Sequence, residues 1–105
     1  MDAFAALADP GRREIVALVA RKGQLPAGEI ASQFAVSAQA ISQHLKILRE
    51  ASVLTMERRA QQRLYALNPA TVSSVQEWAR NITNLWERRY AALSELIQEE
   101  KDGTK

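Results

Sequence analysis

Four polar side chains recur at helical spacing near the middle of the chain, and their chemistry is that of nucleic-acid recognition. Gln39, Ser42, Gln43 and Lys46 offer amide, hydroxyl and ammonium groups. Amides and hydroxyls can hydrogen-bond to the edges of bases, and cations can pair with backbone phosphates. Residues 37–49 contain no acidic side chain, whereas a merely solvated helix more often carries Glu and Lys pairs. The pattern predicts a helix that lies in a DNA major groove.

The same segment has a second, apolar face that must be buried. Ile41, Leu45 and Leu48 repeat every three or four residues, which predicts one amphipathic helix. Ser37 is a suitable N-cap for this helix. A shorter apolar pattern over about residues 26–34, with Ile30 inward, precedes it across a tight connection. Two short helices joined in this way predict a helix-turn-helix over about residues 26–49.

A change of period after the second helix predicts a β-hairpin over about residues 53–67. Residues 53–58 alternate, and residues 63–67 form a second short run. The polar, basic segment Arg59–Gln62 lies between them. Because this tip lacks Asn-Gly or Gly-Gly, we expect a loop looser than a two-residue turn. A hairpin in this place is the wing of a winged helix.

Length, charge and composition limit the function classes. A chain of 105 residues suits one domain, residues 1–105, with a thin core. The net charge of +2 is uneven: residues 37–65 hold five basic and two acidic side chains, where a nucleic-acid footprint is expected. With no Cys, one His, no phosphate-binding glycine loop and no paired-carboxylate motif, we expect no catalytic residues, no metal and no cofactor. We expect a cytoplasmic protein without a membrane span.

Helices are also predicted at both ends of the chain. A short apolar helix covers residues 3–7, and a second begins at Asp9-Pro10, where Asp9 can cap and Pro10 suits the first position. That helix ends near Gly23. From about residue 70 to residue 99 there is one long helical pattern without Pro or Gly. Its apolar stripe is too broad for a small winged domain to cover, which indicates self-association, although part of it packs on the chain's own helices.

The order of these segments resembles the ArsR-type winged-helix repressors over nearly the whole chain. The similarity lies in residues 6–15, ALADPGRREI, in residues 28–31 and 36–48, which match that family's helix-turn-helix, and in residues 54–67, its wing. The resemblance implies a mainly α-helical fold with a small β-hairpin, and a homodimeric repressor with its first and last helices at the dimer interface. Two recognition helices would then enter successive major grooves of a pseudo-palindromic operator.

The chain departs from the metal-sensing members of that family. One of their sites uses a Cys pair on the helix before the recognition helix, and the matching residues 25–29 contain no thiol. Another uses Asp and His on the last helix, which here has no His and no Asp before Asp102. The resemblance is therefore to the metal-independent, SdpR-like branch, and the regulating signal stays unknown.

These arguments assign two sets of site residues. The residues expected to contact double-stranded DNA are Ser37, Ala38, Gln39, Ser42, Gln43, His44, Lys46, Arg58, Arg59, Gln61, Gln62 and Arg63. The residues expected at a dimer interface are Phe4, Leu7, Trp78, Ile82, Trp86, Tyr90 and Leu93. Each set also has a simpler interpretation: the polar residues are a solvated face, His44 is a packing residue, and the aromatic residues belong to the core. The competing functional hypothesis is a winged-helix module that binds protein rather than DNA.

Overall fold

The computed structural model describes residues 1–103, with side chains as far as Glu100, and it is mainly helical with one small sheet. The elements in chain order are α1 Ala3–Ala6, α2 Pro10–Lys22, β1 Leu25–Pro26, α3 Ala27–Ser32, α4 Ala38–Glu50, β2 Leu54–Arg59, β3 Gln62–Leu67 and α5 Pro69–Gly103. They divide into two compact units, residues 1–73 and the part of α5 that follows. The predicted fold class, a winged helix-turn-helix, is confirmed.

Side-chain N-caps fix where α2 and α4 begin. The backbone N–H of Arg12 donates to Asp9 Oδ2 over 3.0 Å at the start of α2, and that of Ala40 donates to Ser37 Oγ over 3.1 Å at the start of α4. Both caps satisfy donors that a helix leaves unpaired in its first turn. α2 ends at Gly23, whose φ of 91° is costly for other residues. The starts and the end predicted from the sequence are confirmed.

The carboxyl end of α4 is closed without a glycine. Val53 N donates to Leu48 O over 2.9 Å and Ser52 N donates to Arg49 O over 3.0 Å, which is the Schellman pattern. Ser52 occupies the left-handed position with φ 61°, where glycine is the usual residue. Val53 and Leu48 are both fully buried and supply the hydrophobic contact of this motif. α4 is therefore fixed at both ends.

The three-stranded antiparallel sheet has the order β1-β3-β2 and differs from the sequence prediction in two respects. β1 was not predicted; its two residues pair with Tyr65 and Leu64 of β3, and its Pro26 is tolerated because β1 is an edge strand. The hairpin tip is tighter than predicted, since Arg59 pairs with Gln62 and only Ala60 and Gln61 connect the strands. The expectation of a looser loop was wrong because Ala60 adopts φ 56°, at a cost of about 1–2 kcal/mol.

The core of residues 1–73 is formed by all the long elements of this unit. Ile41, Leu45 and Leu48 of α4 are each at most 2% exposed, as predicted from their spacing. They pack in one cluster with buried residues from the other elements: Ala6, Ile15, Val19, Ile30, Ala51, Val53, Leu54 and Tyr65. Burying a side chain of this size contributes about 1.5–3 kcal/mol. The apolar face of α4 is thereby held inward and its polar face outward.

α5 is a single helix of 35 residues that begins at Pro69, a residue suited to the first helical position. Val72, in its first turns, packs against the core cluster. Val75 is half-buried, and every side chain over residues 76–100 is exposed. Neither α5 nor any other helix in the described part of the chain is apolar enough over its length to cross a bilayer.

Candidate nucleic-acid interface

The polar face of α4 is presented to solvent. Gln39, Ser42, Gln43 and Lys46 are exposed, and none of them hydrogen-bonds through its side chain within residues 1–100. The buried stripe on the opposite side fixes the rotation of the helix, so these four groups cannot turn inward. Ser37 and Ala38 are also exposed at its amino-terminal end, although the Ser37 hydroxyl already caps α4. The structure thus brings the predicted α4 contacts to one surface.

A groove of about 670 Å³ runs between this face and the sheet. Its lining consists of the α4 polar face together with residues of α3 and β3: Ala27, Gln39, Ser42, Gln43, Leu45, Lys46, Arg49, Glu50, Arg63 and Tyr65. Three of these side chains are cationic and one is acidic, so the groove is electropositive. Tyr65 and Leu45 are buried and form part of its floor.

His44 lies apart from the polar face, against the beginning of α2. It is half-buried and close to Gly11, since a Cβ atom on Gly11 would be in ordinary van der Waals contact with its Nε2 at 3.5 Å. Its buried Nδ1 has no hydrogen-bond partner among the described residues. This placement supports the packing interpretation of His44. The DNA-backbone contact allowed by the resemblance stays a prediction.

Asp9, which caps α2, is the acidic group beside His44. The hydrogen bond from the backbone N–H of Arg12 lowers the pKa of the Asp9 carboxyl; burial opposes it, and the nearby guanidinium of Arg12 and the imidazole of His44 lower the pKa further. The Arg12 guanidinium is itself engaged, since its Nε donates to Ala6 O over 2.6 Å. Arg13 Nη1 donates to Leu7 O over 2.8 Å in the same way. The Arg12 and Arg13 side chains therefore link the end of α1 to α2 by hydrogen bonds.

The two faces of the hairpin differ in what their arginines do. Arg58 and Arg63 are directly opposite one another on neighbouring strands, so their side chains share one face. Arg59 lies on the other face, where its Nη2 is 3.3 Å from Glu57 Oε1. Gln24 Nε2 donates to the second oxygen of the same carboxylate over 3.3 Å. Arg59 is thus the one predicted wing cation that already has an ion-pair partner among residues 1–100.

The tip of the hairpin is polar and exposed. Gln61 and Gln62 line a recess of about 190 Å³ together with Arg58 and Arg63. Arg63 also borders the α4 groove, so the recess and the groove meet at this residue. Arg63 alone of these tip residues lines the α4 groove; Arg58 shares its strand face, whereas Gln62 pairs with Arg59 and lies on the opposite face.

Arg49 belongs to this surface, and the sequence analysis did not select it. It lies three residues after Lys46 and therefore follows it on the same face of α4. The structure places it in the lining of the groove, near the carboxyl end of the helix. Helical spacing would have found this residue if the polar face had been followed past Lys46.

The residues predicted at a dimer interface fall into two groups. Phe4 is 47% exposed on α1, while Leu7 is half-buried at its end. The α5 residues Trp78, Ile82, Trp86, Tyr90 and Leu93 are between 48% and 68% exposed. Leu85, Leu96 and Ile97 are similarly exposed and lie on the same broad stripe. No set of three or more His, Asp or Glu side chains in the described part of the chain is arranged to hold a metal ion.

Comparison with known proteins gives a consistent result. Residues 7–57 match a helix-turn-helix domain family. The chain is 38% identical to the transcriptional repressor SdpR of Bacillus subtilis over 77% of its own length and 89% of the relative's. It is 35% identical to the HTH-type transcriptional regulator Rv2034 of Mycobacterium tuberculosis over 97% and 92% of the two chains. The structure of an ArsR-like transcriptional regulator from Rhodococcus sp. RHA1 superposes with a TM-score of 0.77, at 29% identity, over 89% of this chain and 87% of that one.

The chain belongs to the ArsR-type winged helix-turn-helix regulators. It is a DNA-binding transcriptional regulator, and members of this family are not enzymes. The resemblance stated from the sequence is thereby confirmed at the level of family, fold and general function. The groove between α4 and the hairpin is lined by polar and cationic groups of a chemistry suited to this task.

Proposed function

We propose that this regulator is a homodimeric repressor in which the α4 helices of two protomers enter successive major grooves of a pseudo-palindromic operator. The observation that carries the proposal is the exposed polar face of α4 beside an electropositive groove. A rigid helix that offers amides and hydroxyls on one side suits the donor and acceptor pattern of base edges. Repression is proposed from the similarity to a protein named as a repressor.

Roles follow from side-chain chemistry. We assign base contacts to Gln39, Ser42 and Gln43, because a glutamine amide can pair bidentately with adenine. We assign phosphate contacts to Lys46, whose flexible ammonium makes a strong charge interaction but carries little geometric information. At the amino-terminal end of α4, Ser37 and Ala38 place backbone N–H groups toward a phosphate. The remaining α4 candidate, His44, is expected to position the helix.

The hairpin supplies the second part of the proposed interface. Arg58, Gln61, Gln62 and Arg63 border its recess, and Arg63 also lines the α4 groove. We propose that they reach the minor groove or its phosphates next to the major groove occupied by α4. Arg59 would first have to leave Glu57, which costs little because an exposed ion pair contributes about 0–1 kcal/mol.

The homodimer is proposed from the apolar stripe of α5. Its large side chains over residues 78–97 are each about half exposed or more, which is unusual for a protein that stays monomeric. A second copy presents the same stripe, so a two-fold arrangement would cover both at once. Two half-sites one helical turn apart, about 34–36 Å, match such symmetry. We place the protein in the cytoplasm because an operator must be accessible to it, and we assign no small-molecule effector.

The test is fluorescence-anisotropy binding to the DNA upstream of the protein's own gene, titrated against salt. Gln43→Ala should reduce the preference for this DNA over a scrambled duplex by about 30-fold or more, since a dimer loses two base contacts of about 1–3 kcal/mol each. Lys46→Ala should weaken binding to both duplexes alike. Gln76→Ala, on the polar side of α5, is the matched control and should change neither.

Two results would contradict the assignment. If Gln43→Ala behaves like the control, the base-reading role moves to other residues of α4. If the unchanged protein binds no duplex at low salt, this surface does not bind its own upstream DNA, and the protein-interaction module becomes the better hypothesis. A folded state should first be established for each variant by circular dichroism.

A further inference from the structure

The arginine side chains of residues 1–73 differ in whether they form hydrogen bonds or ion pairs within the protein. Arg12 and Arg13 donate to backbone carbonyls at the end of α1, and Arg59 pairs with Glu57. By contrast, Arg49 and Arg63 make no ion pair and no side-chain hydrogen bond within residues 1–100. Their guanidinium groups are therefore available to a ligand.

These two arginines come from different elements and meet at one groove. Arg49 extends from the last turn of α4 and Arg63 from the beginning of β3, and both line the groove of about 670 Å³. Lys46 lies between Arg49 and the base-facing residues on the same helix face. We call Lys46, Arg49 and Arg63 the cationic seat. Glu50 is the one acidic side chain in the lining, so the seat keeps an excess of positive charge.

A second feature of the hairpin favours an anion beside Arg63, the residue that the groove and the tip recess share. Arg63 lies directly across from Arg58 on the neighbouring strand. Like charges in this position destabilise a strand pair by a few tenths of a kcal/mol or more. Both side chains border one recess, and no acidic residue lines it. The free protein therefore tolerates a repulsion that a bound anion would relieve.

We propose that Arg49 and Arg63 together hold one DNA backbone phosphate between α4 and the hairpin, which makes Arg49 a DNA contact. Guanidinium groups suit this role because their planar fork donates two parallel hydrogen bonds to phosphate oxygens. Held from two elements, the phosphate fixes how deep α4 enters the groove and leaves base reading to Gln39 and Gln43. The proposal rests on the proposed function, since it needs a duplex on the α4 surface.

The salt dependence of binding tests the seat. The shared contact is one phosphate per protomer, or two in a dimer, so Arg49→Gln should make the slope of log affinity against log salt shallower by at most about 1.8, at about 0.9 per phosphate. Arg63→Gln should do the same. Preference for the upstream DNA over a scrambled duplex should change less than about 2-fold, because a phosphate contact carries no sequence information.

Arg80→Gln is the matched control, since Arg80 is an exposed arginine on the polar side of α5. It should leave the slope unchanged. If Arg49→Gln and Arg63→Gln, folded by circular dichroism, also keep the slope of the unchanged protein, the seat is disproved while the proposed function stands. If the unchanged protein itself binds no duplex, the proposed function fails first, and this outcome is distinguishable from the former.

Modified duplexes locate the phosphate and separate DNA from free anion. Duplexes with a single neutral methylphosphonate should include one position per half-site that weakens the unchanged protein but does not weaken Arg49→Gln further. Equal losses at every position in both proteins would overturn the proposal. Inorganic phosphate at fixed ionic strength should not compete at millimolar concentration; competition that Arg49→Gln abolishes would identify a free-phosphate site instead.

Discussion

α4 and α5 are both amphipathic helices, yet the apolar stripe of α4 is buried and that of α5 is exposed. The stripe of α4 is covered by the chain itself, with Leu48 fully buried. The stripe of α5 beyond Val75 is exposed, with Trp86 68% and Tyr90 66% accessible to solvent. Spacing alone does not distinguish these two helices, since apolar residues recur every three or four positions in each.

This difference in burial indicates that the two helices have different roles. α4 must present one rigid polar face, so its other face, its N-cap and its carboxyl end are all fixed by residues of the same unit. The large side chains of the α5 stripe beyond Val75 are instead about half exposed or more. This apolar surface is suited to a contact that forms only when two copies meet. Stability and assembly would then depend on different helices, and substitutions can separate them.

The largest effect is expected in the covered stripe. Leu48→Ala should lower the free energy of unfolding by about 2–5 kcal/mol, because it leaves a cavity where no neighbour can easily collapse. Urea denaturation followed by circular dichroism measures this change. The matched control, Leu85→Ala, removes the same atoms from a side chain that is 60% exposed and should cost much less at low protein concentration. Equal losses for the two variants would contradict the distinction.

The uncovered stripe should instead control assembly. Trp86→Ala should raise the dimer dissociation constant by about 30-fold or more, since a buried aromatic residue at the centre of an interface often contributes 2 kcal/mol or more. Sedimentation velocity over a concentration series measures this change. Arg80→Ala, on the polar side of the same helix, should leave the constant unaltered. If the protein without substitutions sediments as a monomer at every concentration, the proposed homodimer is refuted.

The sequence predicts well where local chemistry decides the outcome. Asp9 and Ser37 start their helices as expected because a capping side chain acts within three residues of itself. The helix-turn-helix, the buried face of α4 and the hairpin follow from short-range periodicity in the same way. Most of the proposed DNA surface could be named on this basis, because fixing the buried face also fixes the polar one.

Long-range pairing and backbone strain were not predictable in this way. β1 exists only because two residues after α2 meet β3 about forty residues later, and two residues carry no period. The tight hairpin tip requires Ala60 to accept a left-handed conformation that its residue type disfavours. Whether Arg59 or Arg63 remains available for DNA depended on which strand face each occupies.

Backbone strain within residues 1–73 predicts a smaller change in the free energy of unfolding, of opposite sign. Ser52→Gly should raise the free energy of unfolding by about 0.5–1 kcal/mol, because glycine adopts the left-handed C′ position of α4 without steric cost. Ala60→Gly should stabilise the hairpin tip for the same reason. Thermal and urea unfolding measure both changes. Gly substitution at Ser73, an exposed helical position in α5, is the control and should destabilise instead.

The smallest effect concerns the charge of Asp9, which caps α2 with a group that can titrate, whereas Ser37 caps α4 with one that cannot. The pKa of Asp9 is lowered in the folded protein by the hydrogen bond from Arg12 N. The ionised Asp9 carboxylate therefore stabilises the folded protein above the ordinary Asp pKa of about 3.9. This stabilisation is lost as the pH falls through the lowered pKa. Asp9→Asn keeps a cap without a charge, so the stability difference from the unchanged protein should shrink as the pH falls below about 5.

Ser37→Ala supplies the comparison, since the Ser37 hydroxyl caps α4 without titrating. It should lower the free energy of unfolding by about 1 kcal/mol at every pH, with no change in slope. Urea unfolding of the three proteins between pH 3 and pH 7 measures both curves, and the other carboxyl groups cancel because all three proteins share them. A constant difference for Asp9→Asn would mean that the charge of Asp9 adds nothing to its cap. The start of α2 would then be stabilised by a hydrogen bond alone, as the start of α4 is.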